Sequence, residues 1–117
     1  MKLRESESEF LKQLALAKAS WEQAVAHLVN SEEPDLVWSS HEEEWRRLLR
    51  AVRETGTQQD LQAVVSELMN GIIHSVLVTL DGGSALAETR QLTITDENGH
   101  EFIRFLHEFW PEYGGGL

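Results

Sequence analysis

The stretch LQAVVSELMNGIIHSVLVTL, residues 61–80, decides the fold of this chain. Its apolar side chains alternate in steps of three and one, which is the spacing of a helix with a wide buried face. They are Leu61, Val64, Val65, Leu68, Met69, Ile72, Ile73, Val76, Leu77 and Leu80. Because a helix turns by 100° per residue, each four-residue step carries this face about 40° around the axis. We therefore expect a central core helix that crosses its neighbours obliquely.

The second half of this stretch also permits a strand. Asn70 and Gly71 form a helix-breaking pair, and residues 72–80 are rich in β-branched side chains. The alternative is therefore a helix that ends at Met69, followed by a buried strand over residues 72–80. A continuous helix, bent at Gly71, is favoured because the apolar alternation runs unbroken through the glycine.

Two further helices are predicted before the central one. The first covers Ser6–Asn30, where a capping-box spacing precedes apolar residues in steps of four and three. The second begins at Ser39 or Ser40, and Gly56 provides a left-handed cap at its end. The connection to the central helix is very short, which predicts that these two helices are antiparallel neighbours.

Beyond the central helix, the apolar pattern changes to the period of two that is typical of strands. The pair Asn98-Gly99 is the strongest hairpin signal, and a type I′ turn there would place Ile94 opposite Ile103. The segment LHEFW would form a short terminal helix, and residues 114–117 would form a mobile tail. The predicted fold class is α+β, mainly α: one domain of three longer helices, a C-terminal β-hairpin and a short terminal helix.

The composition narrows the possible functions. Twenty acidic residues against ten basic ones give a net charge of −10, which would repel a phosphate backbone and argues against nucleic-acid binding. The same charge would steer a basic partner towards the surface. The chain has no cysteine, so disulfides and thiolate metal sites are excluded. No signal peptide is apparent and no uninterrupted apolar run reaches membrane-spanning length, so we expect a cytoplasmic protein that does not enter membranes.

The four tryptophans provide the clearest binding candidates. Trp21 and Trp45 fall on predicted apolar faces and are expected in the core, whereas Trp38 and Trp110 lie beside proline-containing segments and are expected to be partly exposed. An aromatic side chain surrounded by carboxylates is a plausible anchor for a basic protein, although tryptophans also simply cover loops. The predicted partner-binding residues are Trp38, Trp110, Glu42, Glu43 and Glu44.

No catalytic residue, metal site or cofactor is predicted. The segment His41-Glu-Glu-Glu-Trp45 lacks the second histidine of a zinc-binding HExxH motif. Arg46, Arg50 and Arg53 share one helix face and could hold a phosphate or an acidic peptide, but glutamates at ion-pair spacing are the simpler explanation. A pocket near His74, Asp81 and His107 is the alternative site.

The second half of the chain resembles a loose group of small bacterial proteins of uncharacterised function. These proteins carry an apolar helix containing His, a Leu-Asp-Gly end, a short β-hairpin and a C-terminal L-H-E/D-x-F element. The matching positions here are His74, Leu80-Asp81-Gly82 and the segment 106–109. Some members are similar to immunity proteins of toxin–immunity systems, which implies binding of a toxin and transfers no catalytic residue.

We therefore expect a small acidic domain that is not an enzyme and that binds another, basic protein, as an immunity protein neutralises its toxin. One alternative is a small-molecule binding protein or enzyme that uses the pocket near His74, Asp81 and His107. The other is a structural homodimer module, which a large apolar patch between identical chains would favour.

Overall fold

A computed structural model describes residues 2–114 of the chain. This part contains five α-helices and one short 3-10 helix at Ala85–Glu88. The α-helices are α1 (Glu5–Asn30), α2 (Glu42–Thr55), α3 (Gln58–Leu80), α4 (Leu106–Phe109) and α5 (Pro111–Gly114). Helices α1 and α3 pack antiparallel along most of their length, and the other elements cover the two ends of this pair. The molecule is consequently elongated, with extents of 51 × 30 × 26 Å.

The continuous central helix is confirmed, because α3 passes through Gly71 and ends at Leu80. The expectation that its surroundings bury the whole apolar surface is wrong. Only Asn70 and Leu77 are fully buried in α3, on the side that faces α1 and α4. On the other side, four apolar residues at i, i+4 spacing are between 50% and 67% exposed. This α3 apolar row consists of Val64, Leu68, Ile72 and Val76.

The helical stretch Gln58–Glu88 is long and apolar enough to cross a membrane, judged by length and composition. Core helices of soluble proteins and signal sequences pass the same test. Only 11% of the apolar window in this stretch is buried within the described chain.

The predicted α+β fold class is wrong, because residues 2–114 contain no β-strand. The segment with period-two alternation makes only one isolated antiparallel bridge, between Thr95 and Glu101. Residues 89–105 are otherwise irregular and mostly exposed, so the segment has no neighbouring strand with which to form a ladder. The described chain is therefore helical, with one turn in place of the expected hairpin.

The register of this turn also differs from the prediction. A type I′ turn needs positive φ at both central residues, and here Gly99 has φ of 80° while Asn98 does not. The Gly99 amide instead donates to the Asp96 carbonyl at 3.0 Å, which makes the loop one residue longer. The amide of Phe102 consequently donates to the Ile94 carbonyl, so Ile94 does not face Ile103. The Asp96 carboxylate accepts the His100 amide, which lowers the pKa of Asp96 from its ordinary value.

The helix ends differ slightly from the predicted ones. Helix α1 begins one residue early, and the Glu7 carboxylate accepts the Arg4 amide at 2.7 Å in place of the expected capping box. Helix α2 begins at Glu42, two to three residues after the predicted serines, because the Ser39 hydroxyl accepts the His41 amide before the helix starts. The left-handed cap at Gly56 is confirmed, with φ of 68°.

Two separate core clusters stabilise the ends of the α1–α3 pair. The first cluster joins α1, α2 and the intervening loop, and consists of Val25, Leu28, Val29, Leu36 and Leu49. The second joins α1, α3, α4 and α5, and consists of Leu11, Leu77, Leu106 and Trp110. Trp21 lies between the two clusters and is 58% exposed, so its predicted core position is wrong, whereas Trp45 is half-buried against the first cluster.

The C-terminal segment belongs to the second cluster. The Lys18 ammonium, itself buried, donates to the Gly114 carbonyl at 2.8 Å. A side chain at position 114 would collide with the Trp110 ring, so this close approach requires glycine. Gly114 is therefore a buried helical residue and not part of a mobile tail, and residues 115–117 lie outside the described part of the chain.

Candidate functional site

An exposed aromatic surface lies in the loop before α2. The side chain of Val37 is almost fully exposed, and that of Trp38 is 56% exposed. The Trp38 indole N–H donates to the Asp35 carbonyl at 2.9 Å. The same ring packs edge-on against Trp45, with ring centroids 6.0 Å apart. Trp38 is thus held in one orientation while much of its surface remains open to solvent.

Three consecutive carboxylates follow this tryptophan in the first turn of α2. Glu42, Glu43 and Glu44 are all exposed, and the positive end of the helix dipole stabilises negative charge at this position. Glu42 forms an ion pair with Arg46 at 2.6 Å. Within residues 2–114, Glu43 forms no ion pair. We call Val37, Trp38, Glu42, Glu43 and Glu44 the aromatic–acidic patch.

Trp110, the other predicted anchor, is not on the surface. Its side chain is 0% exposed, and the indole N–H donates to the Asn70 side-chain oxygen at 2.7 Å. The expectation of partial exposure is wrong because Pro111 does not end the structure there. Pro111 instead occupies the first position of α5, where its missing N–H costs nothing. Helix α4 therefore packs against α3 and α5 packs against α1, and together they bury Trp110.

The structure brings the three residues of the alternative site together. Asp81 accepts the His107 backbone amide at 2.9 Å and the His107 ring Nδ1 at 2.7 Å through the same oxygen. The rings of His74 and His107 meet edge to face, with centroids 5.7 Å apart. Because an ionised carboxylate only accepts hydrogen bonds, Nδ1 of His107 carries a proton in this contact.

The surroundings of these residues favour a structural role. The cleft that includes Asp81 has a volume of about 10 Å³, and neither histidine lines it. Among residues 2–114, no group of three or more His, Asp or Glu side chains is arranged to hold a metal ion. The double hydrogen bond from His107 instead fastens α4 to the end of α3.

The arginine face of α2 lines a cleft of about 240 Å³ beside Pro34. Arg46 is engaged by Glu42, and the guanidinium of Arg53 donates to the carbonyls of Ser31 and Glu32. Two of the three arginines thus already have partners within the chain. Of these three arginines, Arg50 alone has no partner among residues 2–114, so the face offers less to an anion than the sequence pattern suggested.

Sequence reasoning missed the α3 apolar row as a surface. The signal was present, because the apolar positions of α3 cover more of the helix than one neighbouring helix can bury. The pattern could not indicate which of these positions the chain itself covers.

Comparison with known proteins gives no relative. No protein-family model matches the chain, and neither a curated protein nor a solved structure matches it. The resemblance to immunity-like bacterial proteins therefore stays an expectation from short motifs.

Proposed function

We propose that this chain is a protein-binding domain that recognises a basic partner through the aromatic–acidic patch. The observation that carries the proposal is the exposure of Trp38 next to three carboxylates, in an orientation already fixed by a hydrogen bond and by Trp45. An immunity protein that neutralises a basic toxin is one member of this functional class.

The energetics of tryptophan support this assignment. A tryptophan side chain provides roughly 150–250 Å² of contact area, and tryptophans dominate many interface hot spots. Binding normally costs the conformational entropy of side chains that become ordered at the interface. Trp38 is already held by the Asp35 carbonyl and the Trp45 ring, so most of this cost has been met in the free protein.

The charge of the domain supports a basic partner. The net charge of −10 attracts a cationic protein over several ångströms, and the exposed carboxylates of α2 concentrate that charge beside the aromatic anchor. Salt screens such attraction, so the association rate constant should fall steeply as ionic strength rises.

Affinity capture from the native host, followed by mass spectrometry, would identify the partner, and Trp38→Ala would then test the site. We expect this substitution to weaken binding by about 30-fold, the effect of a hot-spot residue. Trp21→Ala is the matched control, because Trp21 is equally exposed but lies on α1, outside the patch. We expect the control to bind as the unmodified chain does. Equal affinities for the two variants, or an association rate insensitive to salt, would overturn the proposal.

A further inference from the structure

The α3 apolar row is a continuous exposed surface that the proposed partner site does not use. From Val64 to Val76 it spans about 18 Å along the helix. A second exposed row of mostly small residues runs beside it, and consists of Ala63, Glu67, Gly71 and Ser75. Glu67 is the only Asp, Glu, Lys or Arg between Asp60 and Asp81, so this face carries almost none of the charge of the molecule.

The molecule exposes more surface than a compact monomer of its mass. Its accessible surface is 8169 Å², whereas a 13.3 kDa globular monomer exposes about 6,500 Å². The radius of gyration is 17.8 Å, against about 13 Å for a compact chain of this length. A standard protein interface takes about 800 Å² from each partner. The excess of about 1,700 Å² is therefore ample for one such interface on this chain.

We infer that the α3 apolar row forms a two-fold interface with a second copy of this chain, the two α3 helices running antiparallel. The row reads Val-Leu-Ile-Val and is nearly symmetric about its centre, as a self-complementary two-fold interface requires. With the axis between Leu68 and Ile72, Leu68 lies opposite Ile72 of the partner subunit. Val64 then lies opposite Val76 of the partner subunit.

The antiparallel arrangement leaves the single carboxylate on this face away from its own copy. In the antiparallel pair, the two carboxylates are offset by six positions, which is about 9 Å along the axis. The helix dipoles also oppose each other favourably in the antiparallel arrangement.

Gly71 lies beside the proposed axis. Glycine inside a helix costs about 1 kcal/mol relative to alanine. Nothing within 4 Å of a Cβ built at Gly71 would oppose a side chain there, so packing within the chain does not explain the glycine. A flat position next to large apolar side chains lets the backbone of a second helix approach closely.

A second copy fits this face better than the basic partner proposed for the patch. A basic partner would be attracted by carboxylates, and the α3 face offers only Glu67. The α3 apolar row is nearly symmetric and has no charged side chain, so a second copy of the same row is complementary to it. The remaining competitor is a lipid surface, which the same experiment distinguishes.

The first test compares Leu68→Asp with Leu16→Asp by sedimentation equilibrium. Leu16 is the matched control, because it is exposed to nearly the same extent, 64%, but lies on α1, outside the row. We expect the unmodified chain and Leu16→Asp to approach twice 13.3 kDa as concentration rises, and Leu68→Asp to remain at 13.3 kDa. Circular dichroism should show equal helicity for all three proteins, since both substitutions are at exposed positions.

Three results would overturn the inference. The first is an unmodified chain that stays monomeric, and the second is equal dissociation by both substitutions. The third is an unmodified chain that is monomeric and co-floats with phosphatidylcholine vesicles, while the Leu68→Asp variant does not bind the vesicles. This result would assign the row to a lipid surface.

The second test uses the absence of cysteine from the chain to fix the orientation of the helices. A mixture of Val64→Cys and Val76→Cys chains should form the mixed disulfide in preference to either symmetric one, because these positions face each other only in the antiparallel pair. Preferential formation of the two symmetric disulfides would indicate a parallel pair and overturn the arrangement. Both outcomes are independent of the Trp38 experiment, so the two proposals can fail separately.

Discussion

The two faces of α3 have similar side chains and opposite surroundings. On the inner face, Leu77 is fully buried among α1, α4 and α5, and Asn70 receives the hydrogen bond of a buried tryptophan. On the outer face, Leu68 and Ile72 are mostly exposed. The difference shows that apolar spacing determines where a helix forms and which side chains favour burial. The spacing does not determine whether the same chain or a second chain buries them.

The largest difference between the faces should appear in stability. Leu77→Ala should reduce the free energy of unfolding by about 2–5 kcal/mol, since it removes a wholly buried side chain. This loss should be the same at every protein concentration. Leu68→Ala should cost little at low concentration and progressively more as concentration rises, because only the dimer covers Leu68. Chemical denaturation at several concentrations measures both, and a concentration-independent loss in both variants would contradict the distinction.

A smaller effect is expected from the polar contact on the inner face. Asn70→Ala removes the acceptor of the buried Trp110 indole N–H, and an unsatisfied buried donor costs about 1–3 kcal/mol. The Asn70→Ala variant should self-associate as the unmodified chain does, because Asn70 faces away from the α3 apolar row. Gln59→Ala, at an exposed position of the same helix, should leave the unfolding free energy nearly unchanged. A monomeric Asn70→Ala protein of normal helicity would show that the two faces are coupled.

The smallest effect is expected at Gly71, and its sign differs between the two states. In the monomer, Gly71→Ala should raise the free energy of unfolding by about 1 kcal/mol through helix propensity, since the added methyl group meets nothing. In the dimer, the same methyl group should separate the helices and weaken self-association. Denaturation at low protein concentration measures the change in monomer stability, and sedimentation at high protein concentration measures the change in self-association. Stabilisation at both concentrations would show that no second helix approaches this glycine.

The long helices could be predicted from the sequence because their apolar spacing is local information. The continuous course of α3 and the glycine cap at Gly56 followed directly from spacing and backbone preference. The β-hairpin prediction failed because alternation around Ile94 needs a neighbouring strand, and the chain supplies only a turn. The local sequence pattern was therefore sufficient to predict helices, but it was insufficient to predict which distant segments pair with each other.

The candidate sites show the same limit. The exposed position of Trp38 was predictable from the loop around it, but the burial of Trp110 depends on α4 packing against α3 and α5 against α1. The approach of His107 to Asp81 was only a possibility in the sequence, since these residues belong to different elements. Contacts between distant segments required the folded chain.

The central claim is that the outer face of α3 is covered by a second copy and the aromatic–acidic patch is left for a basic partner. Sedimentation equilibrium of the unmodified chain at low and high salt tests it most directly. We predict a mass that rises from 13.3 kDa towards twice that value with concentration, and rises more readily at high salt, because salt screens the repulsion between two chains of charge −10. A mass of 13.3 kDa at every concentration and salt level would contradict the account.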